Sequence, residues 1–163
     1  MKEMDKERQL HLAETFRARH RALPLLLLAN AWDAVSARIV EEAGFDAVAT
    51  TSGGVNWALG YADGEAAPWS EVVAATARMA RVLHVPLTAD IEAGYGGSPA
   101  EVAKSVAEII AAGAVGINLE DGTAPQLRRC VLSTMRQRAY ARREMRRARP
   151  KSRSLLMQGS ISI

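Results

Sequence analysis

Residues 86–97 read Pro-Leu-Thr-Ala-Asp-Ile-Glu-Ala-Gly-Tyr-Gly-Gly, and this stretch predicts both a strand and a polar site at its end. Apolar and β-compatible residues lead to two acids at alternate positions, Asp90 and Glu92, and a glycine-rich turn follows. Because side chains alternate along an extended strand, we expect both carboxylates on one face. At about 4 Å and an effective dielectric near 20 they would repel by roughly 4 kcal/mol. A divalent cation such as Mg²⁺ would offset this repulsion, whereas the simpler alternative is a turn with a helix cap.

Length and composition indicate a soluble α/β protein. The 163 residues suffice for one domain with a sizeable core, and abundant alanine with few aromatic residues is typical of helix-rich α/β proteins. The single cysteine, Cys130, excludes an internal disulfide framework and favours a reducing compartment. The N-terminus lacks the apolar core of a secretory signal, and no apolar run approaches the roughly 18 residues that span a bilayer. We therefore expect a cytoplasmic protein without a membrane partner.

Strands and helices are predicted to alternate along the chain. The predicted helices cover residues 4–21, 34–43, 69–82 and 99–112, the second capped by Asp33 and the last by a Ser98–Glu101 capping box. The predicted strands cover residues 23–30, 46–51, the stretch that opens at Pro86, and 115–119, with a long loop over residues 55–68. Repeated βα units imply right-handed crossovers and a parallel sheet, and ligands collect at the carboxyl ends of such strands.

Polar residues follow three successive predicted strands at these carboxyl ends. They comprise the turn at residues 52–54, the pair Asp90 and Glu92, and the pair Glu120 and Asp121, while Asp63 adds a carboxylate from a loop. Glycines let backbone N–H groups approach a substrate oxygen closely, and a metal could polarise a carbonyl or enolate oxygen. The combination suits a small carboxylate or 2-oxo acid. The alternatives are plain turns for residues 52–54 and Asp63, and helix capping for Glu120.

Six stretches together resemble the isocitrate lyase/phosphoenolpyruvate mutase superfamily, in that family's order and spacing. They are NAWDAVSAR at 30–38, EAGFDAV at 42–48, TSGG at 51–54, LGYADG at 59–64, DIEAGYG at 90–96 and NLED at 118–121. The resemblance covers roughly residues 22–125. It implies a (β/α)₈ barrel that binds Mg²⁺, or Mn²⁺, and acts on 2-oxo acids through enolates. Members cleave C–C bonds in isocitrate or 2-methylisocitrate, decarboxylate oxaloacetate, or make and break the C–P bond of phosphonopyruvate.

The resemblance also implies roles for individual residues. Ser52, Gly53 and Gly54 resemble the family's substrate-binding turn. Asp63 resembles a catalytic loop aspartate near the metal-bound waters. The residues that resemble the metal carboxylates, bound directly or through water, are Asp90, Glu92 and Glu120, and Glu120 is also a catalytic candidate.

Two departures from the family pattern narrow the expected chemistry. Glu92 stands where many members carry aspartate, and its longer arm changes the ligand distance. The lyase branch has a Lys-Arg-Cys-Gly-His loop after the fourth strand, whereas residues 128–132 here read Arg-Arg-Cys-Val-Leu. Because the glycine and the histidine are missing, Cys130 is interpreted as an incidental match. This disfavours a cysteine-dependent lyase mechanism and leaves the decarboxylase, hydrolase and mutase types, or an unassigned member of the family.

Charge and composition change sharply near residue 125. Residues 1–125 carry 17 acids and ten Lys or Arg, whereas residues 126–163 carry 11 Lys or Arg and a single acid, Glu144. We expect residues 1–125 to form the N-terminal half of a TIM-type barrel, with four βα units. Residues 126–163 are expected to form an atypical arginine-rich tail, disordered or helical.

Three explanations of the arginine-rich tail stay open. It is a basic arm for nucleic acid, part of a shortened homologue that completes its barrel with another chain, or the product of a reading-frame shift. The third is favoured because arginine-, alanine- and proline-rich runs are typical of a GC-rich gene translated out of frame.

The sequence therefore predicts an Mg²⁺-dependent lyase or mutase acting on a small oxo-acid or carboxylate, in a homo-oligomer as is usual in the family. The alternative is a truncated, catalytically inactive homologue or, with less support, a basic-tailed nucleic-acid-binding protein.

Overall fold

The computed structural model describes residues 3–121, which form one parallel sheet and five helices. The helices are α1 (Glu3–Arg19), α2 (Ala34–Glu42), α3 (Ser52–Ala58), α4 (Trp69–Val82) and α5 (Pro99–Ala111), and the strands are β1 (Ala29–Ala31), β2 (Val48–Thr50), β3 (Leu87–Asp90) and β4 (Gly116–Asn118). The sheet order is β1-β2-β3-β4, and every neighbouring pair is parallel. The α/β class with four consecutive parallel strands is confirmed, and within residues 3–121 helices follow β1, β2 and β3.

The register of the strands brings their carboxyl ends to one edge of the sheet. Ala31 lies opposite Thr50 at the end of β1 and β2, and Asp90 lies opposite Asn118 at the end of β3 and β4. We call this the C-terminal edge. Segments that leave β2, β3 and β4 start there, so the polar residues that follow those strands are close in space.

The helix starts follow from capping residues that the sequence already shows. The Asp33 carboxylate accepts the Ser36 N–H at 2.7 Å, and the Ser36 hydroxyl oxygen accepts the Asp33 N–H at 3.0 Å. The Ser98 hydroxyl oxygen accepts the Glu101 N–H at 3.3 Å, with Pro99 in the first turn. Such caps replace the intrahelical partners that first-turn N–H groups lack.

The core lies between the sheet and the helices that connect its strands. Against β1, β2 and β3, α2 and α4 bury a cluster made of Ala31, Ala37, Val48, Val55, Ala75, Met79, Leu83 and Leu87. A second cluster joins β3 and β4 to α5 and is made of Ala89, Ile91, Val106, Ile109 and Ala114. Full burial of a side chain such as Met79 or Ile109 stabilises the fold by about 1.5–3 kcal/mol.

Helix α1 contacts the chain near the opposite, N-terminal ends of the strands. The Gln9 side-chain amide donates to the carbonyl oxygens of Ile110 at 2.7 Å and Ala114 at 3.0 Å, just before β4. The Arg8 guanidinium donates to the Leu83 carbonyl before β3. Helix α1 is thus held across the N-terminal edge and leaves the C-terminal edge clear of its own contacts.

Phe16 is the apolar anchor of α1. Only 3% of its surface is exposed, and it clusters with Ala13, Ala47 and Val115. A Cβ atom on Gly116 would lie 2.7 Å from the Phe16 ring, so the glycine permits this close approach.

The first strand was predicted wrongly in both bounds and burial. Residues 23–30 were expected to form a strand buried on both faces, whereas β1 contains only Ala29–Ala31. Leu23 is 92% exposed and Leu25 is 77% exposed. Within residues 3–121, β1 pairs only with β2 and lies at the side of the sheet. An apolar run therefore did not imply two covered faces, because the described residues place nothing over these leucines.

The loop expected over residues 55–68 is also shorter than predicted. Helix α3 starts directly after β2, and the loop covers residues 59–68. A Cβ atom on Gly54 would lie 2.6 Å from Thr51 Cγ2 and 3.1 Å from Trp32 Cβ. The glycine that suggested a turn instead allows the first turn of α3 to pack against the strand ends.

Residues 126–163 and Cys130 lie outside the described part of the chain. In residues 3–121, no helix combines the length and the apolar character that a bilayer crossing requires.

Candidate functional site

Asp90 connects β3 to the start of α3 at the C-terminal edge. It is the last residue of β3, and its Oδ2 accepts the Ser52 N–H at 3.1 Å. Its Oδ1 accepts the Glu92 N–H at 3.1 Å, and its own N–H donates to Thr50 Oγ1 at 2.8 Å. The Asp90 carboxylate is therefore fixed at the end of β3, where the sequence placed it, beside the end of β2 and the start of α3.

The predicted substrate turn and the predicted loop aspartate lie next to each other. Ser52, Gly53 and Gly54 form the first turn of α3, where N–H groups lack intrahelical acceptors. A Cβ atom on Gly53 would lie 3.4 Å from both carboxylate oxygens of Asp63. Asp63 itself is exposed. The edge thus combines backbone donors with two carboxylates, Asp90 and Asp63.

Glu92 does not lie on the strand, so the expectation of alternating side chains on one face was wrong. Strand β3 ends at Asp90, and Glu92 has a φ of 51°, in the left-handed region. An extended strand cannot contain such a residue. The chain turns at Glu92, and its side chain is buried, with 8% of the residue exposed.

Three hydrogen bonds satisfy the buried Glu92 carboxylate. Its Oε1 accepts from Asn56 Nδ2 at 3.0 Å and from the Tyr95 hydroxyl at 3.2 Å, and its Oε2 accepts the Glu65 N–H at 2.8 Å. Burial raises the pKa of Glu92, these hydrogen bonds oppose the rise, and the negative charge of Asp63 adds to it. The net pKa is raised, chiefly because burial disfavours the charged form of the carboxylate.

Tyr95 closes the inner side of this cluster. Its ring lies 4.8 Å, centroid to centroid, from the ring of Trp69. Burial raises the pKa of Tyr95, and the adjacent charge of Glu92 raises it further. The hydroxyl therefore stays protonated and remains a donor to Glu92.

Glu120 follows β4 at the same edge and is exposed. Its backbone N–H donates to the Glu92 carbonyl at 2.7 Å. In the part of the chain that the structure describes, no three His, Cys, Asp or Glu side chains form a group that could hold a metal ion. Asp90, Glu92 and Glu120 are thus neighbours along the edge without forming a cluster of three ligands.

The predicted metal ligands at the C-terminal edge nevertheless fit Mg²⁺ chemically. All of them are carboxylates, whose oxygens are the ligand type that this hard cation prefers. Mg²⁺ usually keeps several waters and takes only one or two carboxylates from the protein, rather than a closed protein cage. A single fixed carboxylate such as Asp90, with Asp63 beside the start of the same helix, satisfies this requirement.

Sequence reasoning missed Asn56 and Glu65. Asn56 was placed in a loop, although it is a fully buried residue of α3. Glu65 was taken as part of the same loop, although its N–H and carboxylate both bond across to the segment after β3. A lone asparagine or glutamate near glycines carries little signal by itself, because such residues are common in ordinary turns.

Comparison with known proteins gives the family. The family described as phosphoenolpyruvate phosphomutase matches residues 16–157, which extends beyond residue 125 into the arginine-rich part. A protein from Burkholderia cenocepacia J2315, known from a crystal structure, is 41% identical to this chain in sequence and superposes on it with a TM-score of 0.75. The match covers 85% of this chain and 56% of the Burkholderia chain.

Two curated relatives are also similar to this chain. An uncharacterized protein of Mycobacterium tuberculosis strain H37Rv is 39% identical over 108 residues, which are 66% of this chain and 40% of that protein. An oxaloacetate decarboxylase of Bradyrhizobium sp. strain BTAi1 is 33% identical over 120 residues, covering 69% of this chain and 41% of that protein. This chain spans about two fifths of the length of these relatives. The chain belongs to the phosphoenolpyruvate phosphomutase family, within the phosphoenolpyruvate mutase/isocitrate lyase superfamily, whose members have TIM-barrel folds.

Proposed function

We propose that the C-terminal edge is the active site of an Mg²⁺-dependent enzyme that acts on a small 2-oxo acid or carboxylate through an enolate. The observation that carries this proposal is the contact between Asp90 and the start of α3: the Asp90 carboxylate and the Ser52 N–H are 3.1 Å apart. A cation held by Asp90 is therefore adjacent to backbone donors that suit a substrate oxyanion.

The chain's own residues have distinct tasks in this proposal. Asp90 would hold the ion, with Glu92 and Glu120 as water-mediated ligands, and a bound ion would supply Lewis-acid polarisation of a substrate oxygen. The turn of residues 52–54 orients the substrate carboxylate through the N–H groups of Gly53 and Gly54, since the Ser52 N–H already donates to Asp90. Asp63, exposed beside Gly53, is placed to exchange a proton with the substrate or with water.

The substrate class follows from the size and polarity of this set. One cation and a short run of N–H groups match a ligand with a carboxylate next to a carbonyl, such as oxaloacetate or phosphonopyruvate. The name of the Bradyrhizobium relative, oxaloacetate decarboxylase, and the family description both support a lyase or mutase reaction on such an acid. Mn²⁺ is expected to replace Mg²⁺, since it takes the same oxygen ligands.

The test is turnover of oxaloacetate and of phosphonopyruvate by the full chain, with Mg²⁺ and again with excess chelator. We expect pyruvate from one of the two acids, or phosphoenolpyruvate from phosphonopyruvate, at a rate above that of the same metal without enzyme, lost on chelation and restored by Mg²⁺ or Mn²⁺. Absence of metal-dependent turnover with both acids would contradict the proposal and favour the alternative of a catalytically inactive homologue.

A further inference from the structure

Asn56 is the residue that connects the three segments around the proposed site. It is fully buried, and its Nδ2 donates to Glu92 Oε1 at 3.0 Å. Its Oδ1 accepts the Ala67 N–H at 3.3 Å, and its backbone carbonyl accepts the Tyr61 N–H at 2.8 Å. One side chain and one carbonyl thus bind both ends of the loop over residues 59–68 and the segment that follows β3.

Glu92 binds the middle of the same loop. Its Oε2 accepts the Glu65 N–H at 2.8 Å, and the Glu65 carboxylate in turn accepts the Tyr95 N–H at 2.8 Å. The two segments therefore exchange hydrogen bonds in both directions. A carboxylate offers about four acceptor positions, and three of those on Glu92 already receive donors from the protein.

The backbone at these contacts is unusual for residues with side chains. Glu65, Glu92 and Tyr95 have φ values of 57°, 51° and 52°. Non-glycine residues occupy this region only where their surroundings hold them there. The reciprocal hydrogen bonds supply that restraint, so loss of one should loosen the others.

The loop that is held in this way carries Asp63. Its carboxylate lies beside Gly53, at the start of α3, and its negative charge acts on Glu92. Asp63 is exposed, and the neighbours Glu65 and Ala67 carry the backbone bonds that fix its position.

We propose that Asn56 and Glu92 form a positioning pair that holds the Asp63 loop at the C-terminal edge. This inference rests on the proposed function for the role of Asp63. The hydrogen bonds by which Asn56 and Glu92 hold the loop, here called the clamp, do not depend on a metal ion. Asn56 and Glu92 act on the reaction through Asp63. The Glu92 carboxylate accepts three hydrogen bonds from the protein, so its main task is to anchor the loop.

Hydrogen exchange of backbone amides tests the clamp without reference to activity. The Asn56→Leu variant keeps the same number of side-chain heavy atoms and removes both side-chain hydrogen bonds. The Glu65 and Ala67 amides should then exchange about tenfold faster, because the bonds they rely on are weakened. The Ile109 amide in α5 should be unchanged. Glu92→Gln gives a second variant in case Asn56→Leu does not fold, and is expected to speed exchange at Glu65.

The matched control is Thr76→Val, which removes another buried polar group, one that donates to Val72 within α4 and does not touch the loop. In metal-dependent assays, Asn56→Leu should lower kcat by about 10–100-fold with KM changed by less than about threefold, whereas Thr76→Val leaves both unchanged. The inference would be overturned if exchange at Glu65 and Ala67 were unchanged in Asn56→Leu and exchange at Glu65 were unchanged in Glu92→Gln. Faster exchange in a chain without turnover would uphold the clamp while the proposed function fails.

Discussion

Replacing Asp90 by asparagine is expected to lower Mg²⁺-dependent turnover by about 100-fold or more, because even outer-shell partners of a metal contribute 10–100-fold. The amide of the new side chain would retain one acceptor oxygen for either the Ser52 or the Glu92 N–H, but it would lose the charge that holds a cation. Steady-state kinetics at saturating Mg²⁺ measures this effect. We expect the loss in kcat to exceed any change in KM, since the ion acts on the reacting oxygen.

A matched variant separates the loss of a ligand from the loss of a surface charge. Asp46→Asn removes an exposed carboxylate before β2, at the opposite edge, where Asp46 pairs with Arg19. It should leave turnover unchanged and alter the free energy of unfolding by less than about 0.5 kcal/mol. Turnover by Asp90→Asn within a few-fold of the parent chain would contradict the assignment of Asp90.

Phe16→Ala is expected to lower the free energy of unfolding by about 3–5 kcal/mol, the usual cost of removing a buried aromatic side chain. Phe16 is 3% exposed and joins α1 to Ala47 and Val115, the residues just before β2 and β4. The ring packs directly against Gly116, which has no side chain to occupy the cavity that alanine would leave. Urea unfolding followed by circular dichroism measures the change.

Leu23→Ala is the control for this variant. Leu23 is 92% exposed, so its truncation should change the free energy of unfolding by less than about 0.5 kcal/mol. If Leu23→Ala were as destabilising as Phe16→Ala, the leucine run would be buried in the protein in solution, as its apolar sequence first suggested.

Sequence reasoning succeeded where local chemistry decides the structure. Helix α4 has the predicted bounds, and Asp33 and Ser98 cap the helices they were expected to cap. Capping depends on a side-chain oxygen a few residues from the N–H groups it accepts, so a short stretch of sequence contains the whole interaction. The parallel strand order followed from the repeated βα units for a similar reason.

It failed where distant contacts decide the structure. Nothing local distinguishes Ser52-Gly53-Gly54 as a turn from the same residues as the first turn of α3; the close approach of Gly54 to Trp32 decides it. Glu92 follows a strand pattern, yet bonds to Asn56 and Glu65 hold it in the left-handed region. The edge residues could be named from sequence, but the buried network behind them could not.

The central claim is that the C-terminal edge binds a divalent ion beside a small oxyacid. Titration of the full chain with Mn²⁺, monitored by the electron paramagnetic resonance signal of free Mn²⁺, tests it directly, with and without oxalate as a non-reacting oxyacid. We predict binding of one Mn²⁺ per chain, strengthened by oxalate and weakened at least about tenfold in Asp90→Asn. Binding that is absent in the parent chain, or unchanged in Asp90→Asn, would contradict the claim.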